Sequence, residues 1–239
     1  MITPPKPSRD APWLLVVAAP AEARAVLAGI GLDADAAAEW EPRETDDGLA
    51  VLTTGVGKAN AAAGVGIALH SRTYGAVVNL GIAGALPNGK PLAIGSTVAA
   101  TRSIYADEGL ALPDGSFVGC SQMGFPLGPF DDRGVPASPG LLDCLGPLVS
   151  TTAPVATVST CSGTDALAST VAERTLAVAE AMEGAAVGQV AAKLGVPFIE
   201  LRVISNTTGN RECQVWSIGE ALDVLGELAR DVGAAALAR

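Results

Sequence analysis

Two carboxylates and an amide stand where they could act together on a bound molecule. Glu22 follows the first apolar run, Glu183 lies in "AMEG", and Asn206 comes directly after Ser205 at the end of "RVISN". Ligands of open α/β sheets collect at the carboxyl ends of strands, so we expect these side chains to converge there. Two carboxylates, an amide and backbone N–H groups, without a nucleophilic cysteine or histidine, indicate water-based chemistry on a neutral organic bond.

The composition is that of an acidic chain with one large core. Of its 239 residues 49% are hydrophobic, which suits a single α/β domain. Lysine and arginine number 15 against 25 aspartates and glutamates, so the formal net charge is −10. This sign disfavours binding to a phosphate backbone, and we expect no nucleic-acid partner. The apolar runs are much shorter than the roughly 20 residues that span a bilayer, so we expect no membrane partner.

The start of the chain and its cysteines both favour a cytoplasmic protein. "MITPPKPSRDAP" is polar and proline-rich, lacks the apolar segment of a secretory signal, and predicts a flexible tail over residues 1–12. The four cysteines have neither CxxC nor metal-site spacing. Free thiols in a reducing compartment are the simplest interpretation, and we expect no bound metal.

Short apolar runs alternate with alanine-rich segments of helical length, the pattern of a mainly parallel sheet with helices on both faces. Strands are predicted at residues 13–20, twice within 39–55, and at 75–84, 95–106, 153–163, 177–184 and 197–206. Helices are predicted at 22–31, 60–72, 164–176, 185–195 and 217–239. The glycine- and proline-rich stretch from about 109 to 140 predicts a long irregular binding loop or flap.

Four motifs together carry a family resemblance: "TTGVGKANAAAG" (53–64), "NLGIAGAL" (79–86), "EAMEGAAV" (180–187) and "RVISN" (202–206). Their order and spacing resemble the nucleoside phosphorylase and nucleosidase superfamily. Within it the chain resembles the nucleosidase branch and looks most like the members that hydrolyse futalosine. The resemblance implies a nucleosidase domain over 13–239 with a single-domain α/β fold, in which helices flank both faces of a mixed, twisted central sheet.

The resemblance also implies roles for the polar residues around a ribose. Glu183 would accept hydrogen bonds from the sugar hydroxyls, and Met182 would pack on the ring. Glu22 would activate the attacking water, and Arg202 would order that water and its carboxylate neighbours. A purely structural role also remains open for each charged residue. Glu183 could cap the helix after its strand, Glu22 could be a first-turn acid favoured by the helix dipole, and Arg202 could belong to a structural ion pair.

A second set of residues would bind the base. Ala83 and Gly84 would present backbone to the ligand, beside Ser205 and Asn206. Related adenine enzymes carry an aspartic acid at the position of Asn206. An asparagine amide can instead donate to the N7 and O6 acceptors of a 6-oxopurine, so the sequence favours hypoxanthine over adenine as the leaving group. Asn206 could alternatively be a turn former.

The outer part of the substrate has weaker candidates. The base-stacking aromatic could be Phe125 or Phe130 in the long loop, or could come from a neighbouring subunit. Arg211 or Arg133 could meet a substrate carboxylate, with solvated surface arginines as the alternative.

The resemblance implies hydrolysis of the N-glycosidic bond of futalosine in menaquinone biosynthesis, with release of hypoxanthine and dehypoxanthine futalosine. Neither a metal nor an organic cofactor is implied, the partner is a purine nucleoside, and the chain is expected to form a homodimer or higher homo-oligomer. The alternatives are a purine nucleoside phosphorylase, an adenine-type nucleosidase for methylthioadenosine or aminodeoxyfutalosine, and a non-catalytic nucleoside-binding protein.

Overall fold

A computed structural model describes residues 11–33, 38–45, 48–89 and 91–238, so most of the predicted tail over 1–12 lies outside the described residues. The strands are β1 (Trp13–Val17), β2 (Arg43–Glu44), β3 (Leu49–Thr53), β4 (Ala76–Ala85), β5 (Thr97–Tyr105), β6 (Gly109–Ala111), β7 (Phe117–Gly119), β8 (Val135–Pro136), β9 (Thr151–Thr157), β10 (Ala179–Ala181) and β11 (Phe198–Thr207). The helices are α1 (Pro20–Gly29), α2 (Lys58–Ser71), α3 (Pro139–Leu145), α4 (Asp165–Thr175), α5 (Gly184–Leu194) and α6 (Ile218–Leu237).

The stretch from 109 to 140 is more ordered than the sequence predicts. It contains the β6–β7 hairpin, the two-residue strand β8 and the beginning of α3. These elements are two to seven residues long, too short to produce a recognisable hydrophobic period. The rest of this stretch consists of turns and irregular backbone, as predicted, and its role as a binding loop or flap stays a prediction.

The main sheet is mixed and runs in the order β10–β9–β5–β11–β4–β1–β3–β2, with β8 paired to β5. Strands β1, β3, β4 and β11 are parallel neighbours, whereas β5 is antiparallel to β11 and β2 is antiparallel to β3. The predicted α/β fold with a mixed central sheet is confirmed. The parallel strands bring their carboxyl ends to one edge of the molecule.

The C-terminal half of β4 closes part of the sheet into a barrel. There β10 pairs with both β9 and β4, which joins β4, β11, β5, β9 and β10 into a ring. The interior is filled by small and branched side chains from all five strands: Ala83, Ala85, Val98, Ala100, Val155, Ala179, Ala181 and Ile204. Because side chains alternate along a strand, Gly84 on β4 and Glu180 on β10 face outward.

Helices cover both faces of the remaining sheet. Helices α1 and α6 pack on one face around a core that includes Leu15, Val78 and Leu225, and α2 and α5 pack on the other. Among the described residues, none of the helices combines the length and the hydropathy of a membrane-spanning segment. The helices leave the carboxyl ends of β1, β4 and β11 accessible to side chains from several elements.

Candidate active site

The residues that the sequence singles out for chemistry gather at the carboxyl ends of the central strands. Glu22 lies in the first turn of α1, directly after β1, and Glu183 stands between β10 and α5. Arg202 and Asn206 belong to β11. All four are buried, although three of them are charged residue types. Such a concentration of buried polar groups marks a candidate active site.

Arg202 is the centre of this cluster. Its Nε donates to Glu200 Oε1 at 2.7 Å, and its Nη2 donates to Asn79 Oδ1 at 2.7 Å and to Glu183 Oε2 at 3.3 Å. Burial alone would lower the pKa of the guanidinium. The carboxylates of Glu200, Glu183 and Glu22 outweigh that effect and raise the pKa instead. Arg202 is therefore a permanent cation whose rigid fork fixes the acids around it.

Glu183 joins the arginine to a helix terminus. Its Oε1 accepts from the backbone N–H of Gly57 at 3.0 Å, and its Oε2 accepts from Arg202. Gly57 is the N-cap of α2, where the helix dipole favours an anion, and its φ of 96° suits a glycine. Glu183 is also the N-cap of α5, but its side chain makes no capping bond there. The interpretation of Glu183 as a simple helix cap is therefore wrong.

Glu22 is a buried carboxylate held by backbone N–H groups. Its Oε2 accepts from Ala18 at 3.2 Å and from Ala19 at 2.9 Å, and its Oε1 accepts from Ile82 at 2.8 Å. Burial raises its pKa, and the Arg202 charge and the backbone bonds oppose that effect only in part. Glu22 thus caps α1, and the raised pKa also makes its ionised form a stronger base than a solvated carboxylate.

A glycine provides the room for Glu22 and Arg202 to meet. A Cβ at Gly81 would lie 2.7 Å from Glu22 Oε1 and would overlap Arg202 Nη1. The two side chains therefore approach the same point beside β4. Gly81, the first of the two glycines of "NLGIAG", is required here for this close approach.

A second glycine makes room for the acid behind the arginine. Glu200 is fully buried, and Ser103 Oγ donates to its Oε2. A Cβ at Gly184 would overlap the same carboxylate. Gly184, the last residue of "AMEG", thus leaves the space in which the Glu200 carboxylate contacts Arg202.

Asn206 is held in one orientation beside an open space. Its Oδ1 accepts from Ser205 Oγ at 2.8 Å, and its Nδ2 donates to the Thr207 carbonyl at 2.9 Å. A register shift in β11 between Ile204 and Asn206 re-aims the side chain, as β-bulges do. The Cβ position of Gly84 is 3.0 Å from Nδ2. Asn206 is a strand residue with a fixed donor, so the turn-former interpretation is wrong.

Asn206 faces a cavity of about 310 Å³, a volume within the range of small-molecule sites. The Arg211 guanidinium lies 4.7 Å from the centre of the Trp216 ring, and Gln214 Oε1 accepts from both side chains. The cavity is lined by Gly84, Cys161, Ser162, Gly163, Glu180, Asn206, Arg211, Gln214 and Trp216. Arg211 therefore shares a cavity with Asn206, and its contact with substrate stays a prediction.

The remaining predicted binding residues are less closely grouped. Met182 is half-buried, with its Sδ 3.6 Å from Cys161 Sγ at the cavity wall. The Ala83 side chain faces the barrel interior, and only its carbonyl oxygen meets Ser205 Oγ, at 3.2 Å. Phe125 is 72% exposed and does not line the Asn206 cavity. The structure does not bring Phe125 to the other candidates, so its role as the stacking aromatic stays a prediction.

Sequence analysis did not single out several polar residues of the site. Asn79 and Glu200 orient Arg202, and Glu180 lines the cavity. A signal for the acids exists: Glu180 and Glu200 interrupt runs that are otherwise apolar, and glutamate is rarely buried without a partner. Their partners come from distant segments, which no local pattern reveals.

The profile of the phosphorylase superfamily matches residues 44–238 of this chain. The chain belongs to the phosphorylase superfamily. This superfamily member is 38% identical to a futalosine hydrolase from Streptomyces coelicolor over 193 residues, which cover 77% of this chain and 79% of the relative. It is 37% identical to a futalosine hydrolase from Acidothermus cellulolyticus over 226 residues, which cover 93% and 90%. The family predicted from the four motifs is confirmed, and the chain is an N-glycosidic bond hydrolase.

Solved structures of the superfamily share this fold. A Helicobacter pylori 5′-methylthioadenosine/S-adenosylhomocysteine nucleosidase superposes with a TM-score of 0.72 at 19% identity, covering 95% of this chain and 97% of the other. The futalosine hydrolase of Helicobacter pylori gives 0.70 at 18% identity, covering 96% and 97%. At these identities the likeness concerns the fold.

Replacement of Gly81 by alanine tests whether the approach of Glu22 to Arg202 matters. The added methyl group overlaps the guanidinium, and we expect kcat/KM for nucleoside hydrolysis to fall by about tenfold to a hundredfold as the reacting groups are displaced. Gly140→Ala, at the exposed start of α3, is the matched control because nothing lies within 4 Å of the position that its Cβ would occupy. Steady-state kinetics, with urea titration to separate folding from activity, measures the effect. Full activity in a folded G81A protein would contradict the assignment.

Proposed function

We propose that this protein hydrolyses the N-glycosidic bond of futalosine and releases hypoxanthine and dehypoxanthine futalosine in menaquinone biosynthesis. The observation that carries the proposal is the Asn206 amide, held by Ser205 with its nitrogen toward a cavity, on the same strand as the arginine of the carboxylate cluster. The relatives named futalosine hydrolase, 33–38% identical to this chain, support it.

Glu183 is the proposed stabiliser of the sugar. Cleavage of a ribosyl bond develops positive charge on the ring, and a fixed anion near the 2′ and 3′ hydroxyls gains attraction as that charge grows. Each Glu183 oxygen uses one lone pair on a protein donor, Gly57 or Arg202, and keeps another for a hydroxyl. The two protein bonds hold the anion in place before the substrate arrives.

Glu22 is the proposed base for the attacking water. The Glu22 carboxylate takes a proton from water while the water oxygen bonds to the anomeric carbon of the sugar. The electron pair of the glycosidic bond leaves with the purine. Burial raises the pKa of Glu22, which makes its ionised form a better proton acceptor, and the charge of Arg202 opposes that rise. The arrangement needs no metal and no organic cofactor, which remains a prediction.

Asn206 is the proposed partner of the departing hypoxanthine. One Nδ2 hydrogen is bound by the Thr207 carbonyl, and the other is free to donate to N7 or O6 of a 6-oxopurine. Adenine presents an amino group instead of O6. An unpaired or mismatched buried donor costs about 1–3 kcal/mol, roughly one to two orders of magnitude in selectivity.

Water is the better-supported nucleophile than phosphate. A phosphate site needs a cluster of cationic and N–H donors. Near Glu22 the first helix offers Arg24, which is exposed and lines a groove with α6, whereas Glu22 is on the buried face. The Glu22 carboxylate would also repel a phosphate. The acids expected of a catalyst are all present, which disfavours a non-catalytic binding protein.

Two further expectations remain proposals. Cytoplasmic localisation is supported by the four free cysteines, three of which are exposed. Assembly into a homodimer or larger homo-oligomer is supported by the apolar groove between α2 and α5, where Ile67 is 48% exposed.

Chromatography of released bases tests the function directly. In phosphate-free buffer we expect hypoxanthine from futalosine, and little base from inosine, aminodeoxyfutalosine or methylthioadenosine offered separately. Glu183→Gln is the control, and we expect it to fold but to lose turnover. Cleavage of inosine that appears only with phosphate, together with ribose 1-phosphate, would identify a phosphorylase instead. No release from any of the four would favour a binding protein.

Substitution of Asn206 by aspartate tests the choice of base. The carboxyl removes the donor for O6 and supplies a group that can share a proton with N7, so we expect the kcat/KM ratio of futalosine to aminodeoxyfutalosine to fall by about tenfold to a hundredfold. Asn210→Asp places the same charge on the neighbouring exposed loop while keeping the oxygen that accepts from Glu212 N–H. An unchanged ratio in N206D would remove Asn206 from base selection.

The pH profile tests Glu22 as the base. The carboxyl must be ionised to accept a proton, and burial raises its pKa above the ordinary 4.5. Activity should therefore be present at higher pH and fall, on acidification, at a pH above that of a solvated carboxyl. We expect this acid limb in kcat/KM for the wild type and its loss, with low activity throughout, in Glu22→Gln. An acid limb at or below pH 4.5, with circular dichroism unchanged, would argue against Glu22.

A further inference from the structure

Glu180 is a buried carboxylate to which the mechanism above gives no task. It lies on β10, its side chain faces outward from the barrel, and it lines the Asn206 cavity. Ser162 donates to both of its oxygens, from the backbone N–H to Oε1 and from the hydroxyl to Oε2, each at 2.6 Å. In the ranges that the structure describes it has no ion pair. A buried acid without a cation is unfavourable for folding and suggests a functional role.

The sheet register sets Glu180 opposite Asn206. Both are paired with the same residue, Gly84: Glu180 from β10 on one side and Asn206 from β11 on the other. Residues paired directly across strands share a face, and two strand spacings separate the two backbones by roughly 9–10 Å. Gly84 has no side chain and lines the cavity between them, where Thr208 Cγ2 and Asn206 Nδ2 lie 2.8 and 3.0 Å from the point that a Cβ would occupy. The row forms a slot with an acid at one end and an amide at the other.

The two ends of the slot carry opposite hydrogen-bonding character. Ser162 fixes the Glu180 carboxylate but occupies two of its roughly four acceptor positions, so it can accept from a ligand. Asn206 presents an Nδ2 hydrogen, because Ser205 binds its Oδ1. The ligand that matches has a donor on one edge and acceptors on the adjacent edge. A 6-oxopurine has this pattern, with N1–H beside O6 and N7.

We propose that Glu180 accepts the N1–H of a 6-oxopurine base while Asn206 donates to its O6 or N7 edge, so that the two residues together select the base. This inference rests on the proposed function and deepens it. Adenine has an acceptor at N1, which faces the carboxylate, and an amino group at C6, which faces the Asn206 donor. The N1 contact is mismatched, and the Asn206 contact is mismatched where the donor meets the C6 substituent, whereas N7 is an acceptor in both bases. Each mismatch is expected to weaken adenine binding by about tenfold to a hundredfold.

The alternative is that Glu180 only ties the loop at Ser162 to β10. That role concerns folding and does not depend on which base is bound. Base-dependent effects at position 180 therefore separate the two possibilities. Glu180→Gln keeps the size of the side chain but offers an N–H where the carboxylate offered an acceptor, whereas Glu180→Ala removes both. Glu173→Gln, on the exposed face of α4, is the matched control.

The test measures inhibition of futalosine hydrolysis by hypoxanthine, 1-methylhypoxanthine and adenine in the wild type and the three variants. In the wild type and E173Q we expect hypoxanthine to inhibit at least about tenfold more strongly than either other base. In E180Q we expect the preference for hypoxanthine over adenine to fall by about tenfold or more. In the wild type the N1 methyl group of 1-methylhypoxanthine should clash with the Glu180 carboxylate. E180A removes that carboxylate, so the preference for hypoxanthine over 1-methylhypoxanthine should be lost.

Failure of this inference and failure of the proposed function have different signatures. A wild type that releases no hypoxanthine from futalosine overturns the function. A wild type that does so, but is not inhibited by hypoxanthine or prefers no base, overturns the Glu180 assignment alone. So do E180Q and E180A variants that stay folded with base preferences within about twofold of the wild type. If both variants unfold, the three-base comparison in the wild type decides, because equal inhibition by hypoxanthine and 1-methylhypoxanthine excludes a contact at N1–H.

Discussion

The arrangement of the whole site depends on one buried cation. Arg202 donates to Glu200, Asn79 and Glu183, and its charge acts on Glu22, so residues from β1–α1, β4, β10–α5 and β11 meet at one guanidinium. A buried ion pair adds little net stability, but removal of one partner is expected to cost about 3–5 kcal/mol because the others are left uncompensated. The cluster therefore favours a single arrangement of the acidic side chains around Arg202 over alternatives in which one of them is left unpaired.

Close packing against β4 is what makes this density of charge possible. Gly81 admits the approach of Glu22 to Arg202, and Gly184 admits Glu200 from behind. A side chain at either position would move a carboxylate. The acids are also held by backbone N–H groups, from Ile82 for Glu22 and from Gly57 for Glu183, so their positions are set by the sheet and by α2 as well as by the arginine.

Barrel closure gives the site its second half. Because β4 leaves β1 and pairs with β10 at its end, Gly84 has Glu180 on one side and Asn206 on the other. The bulge in β11 turns Asn206 toward this row, beside the Ser205 that orients it. The charged cluster and the cavity are thus two consequences of one strand, β4, which serves the parallel sheet in its first half and the barrel in its second.

The sequence by itself determined the strand and helix pattern, the family, and the positions of Glu22, Glu183, Arg202 and Asn206, because hydrophobic period and short motifs are local properties. It did not reveal the β6–β7 hairpin or α3, whose segments are too short to show a period. Nor did it reveal the partners of the buried acids. Asn79 lies 123 residues from Arg202 in sequence, and Glu180 meets Asn206 only through the shared partner Gly84. Only the tertiary structure decided these contacts, because strand register and barrel closure bring distant residues together through pairings that no single stretch of sequence encodes.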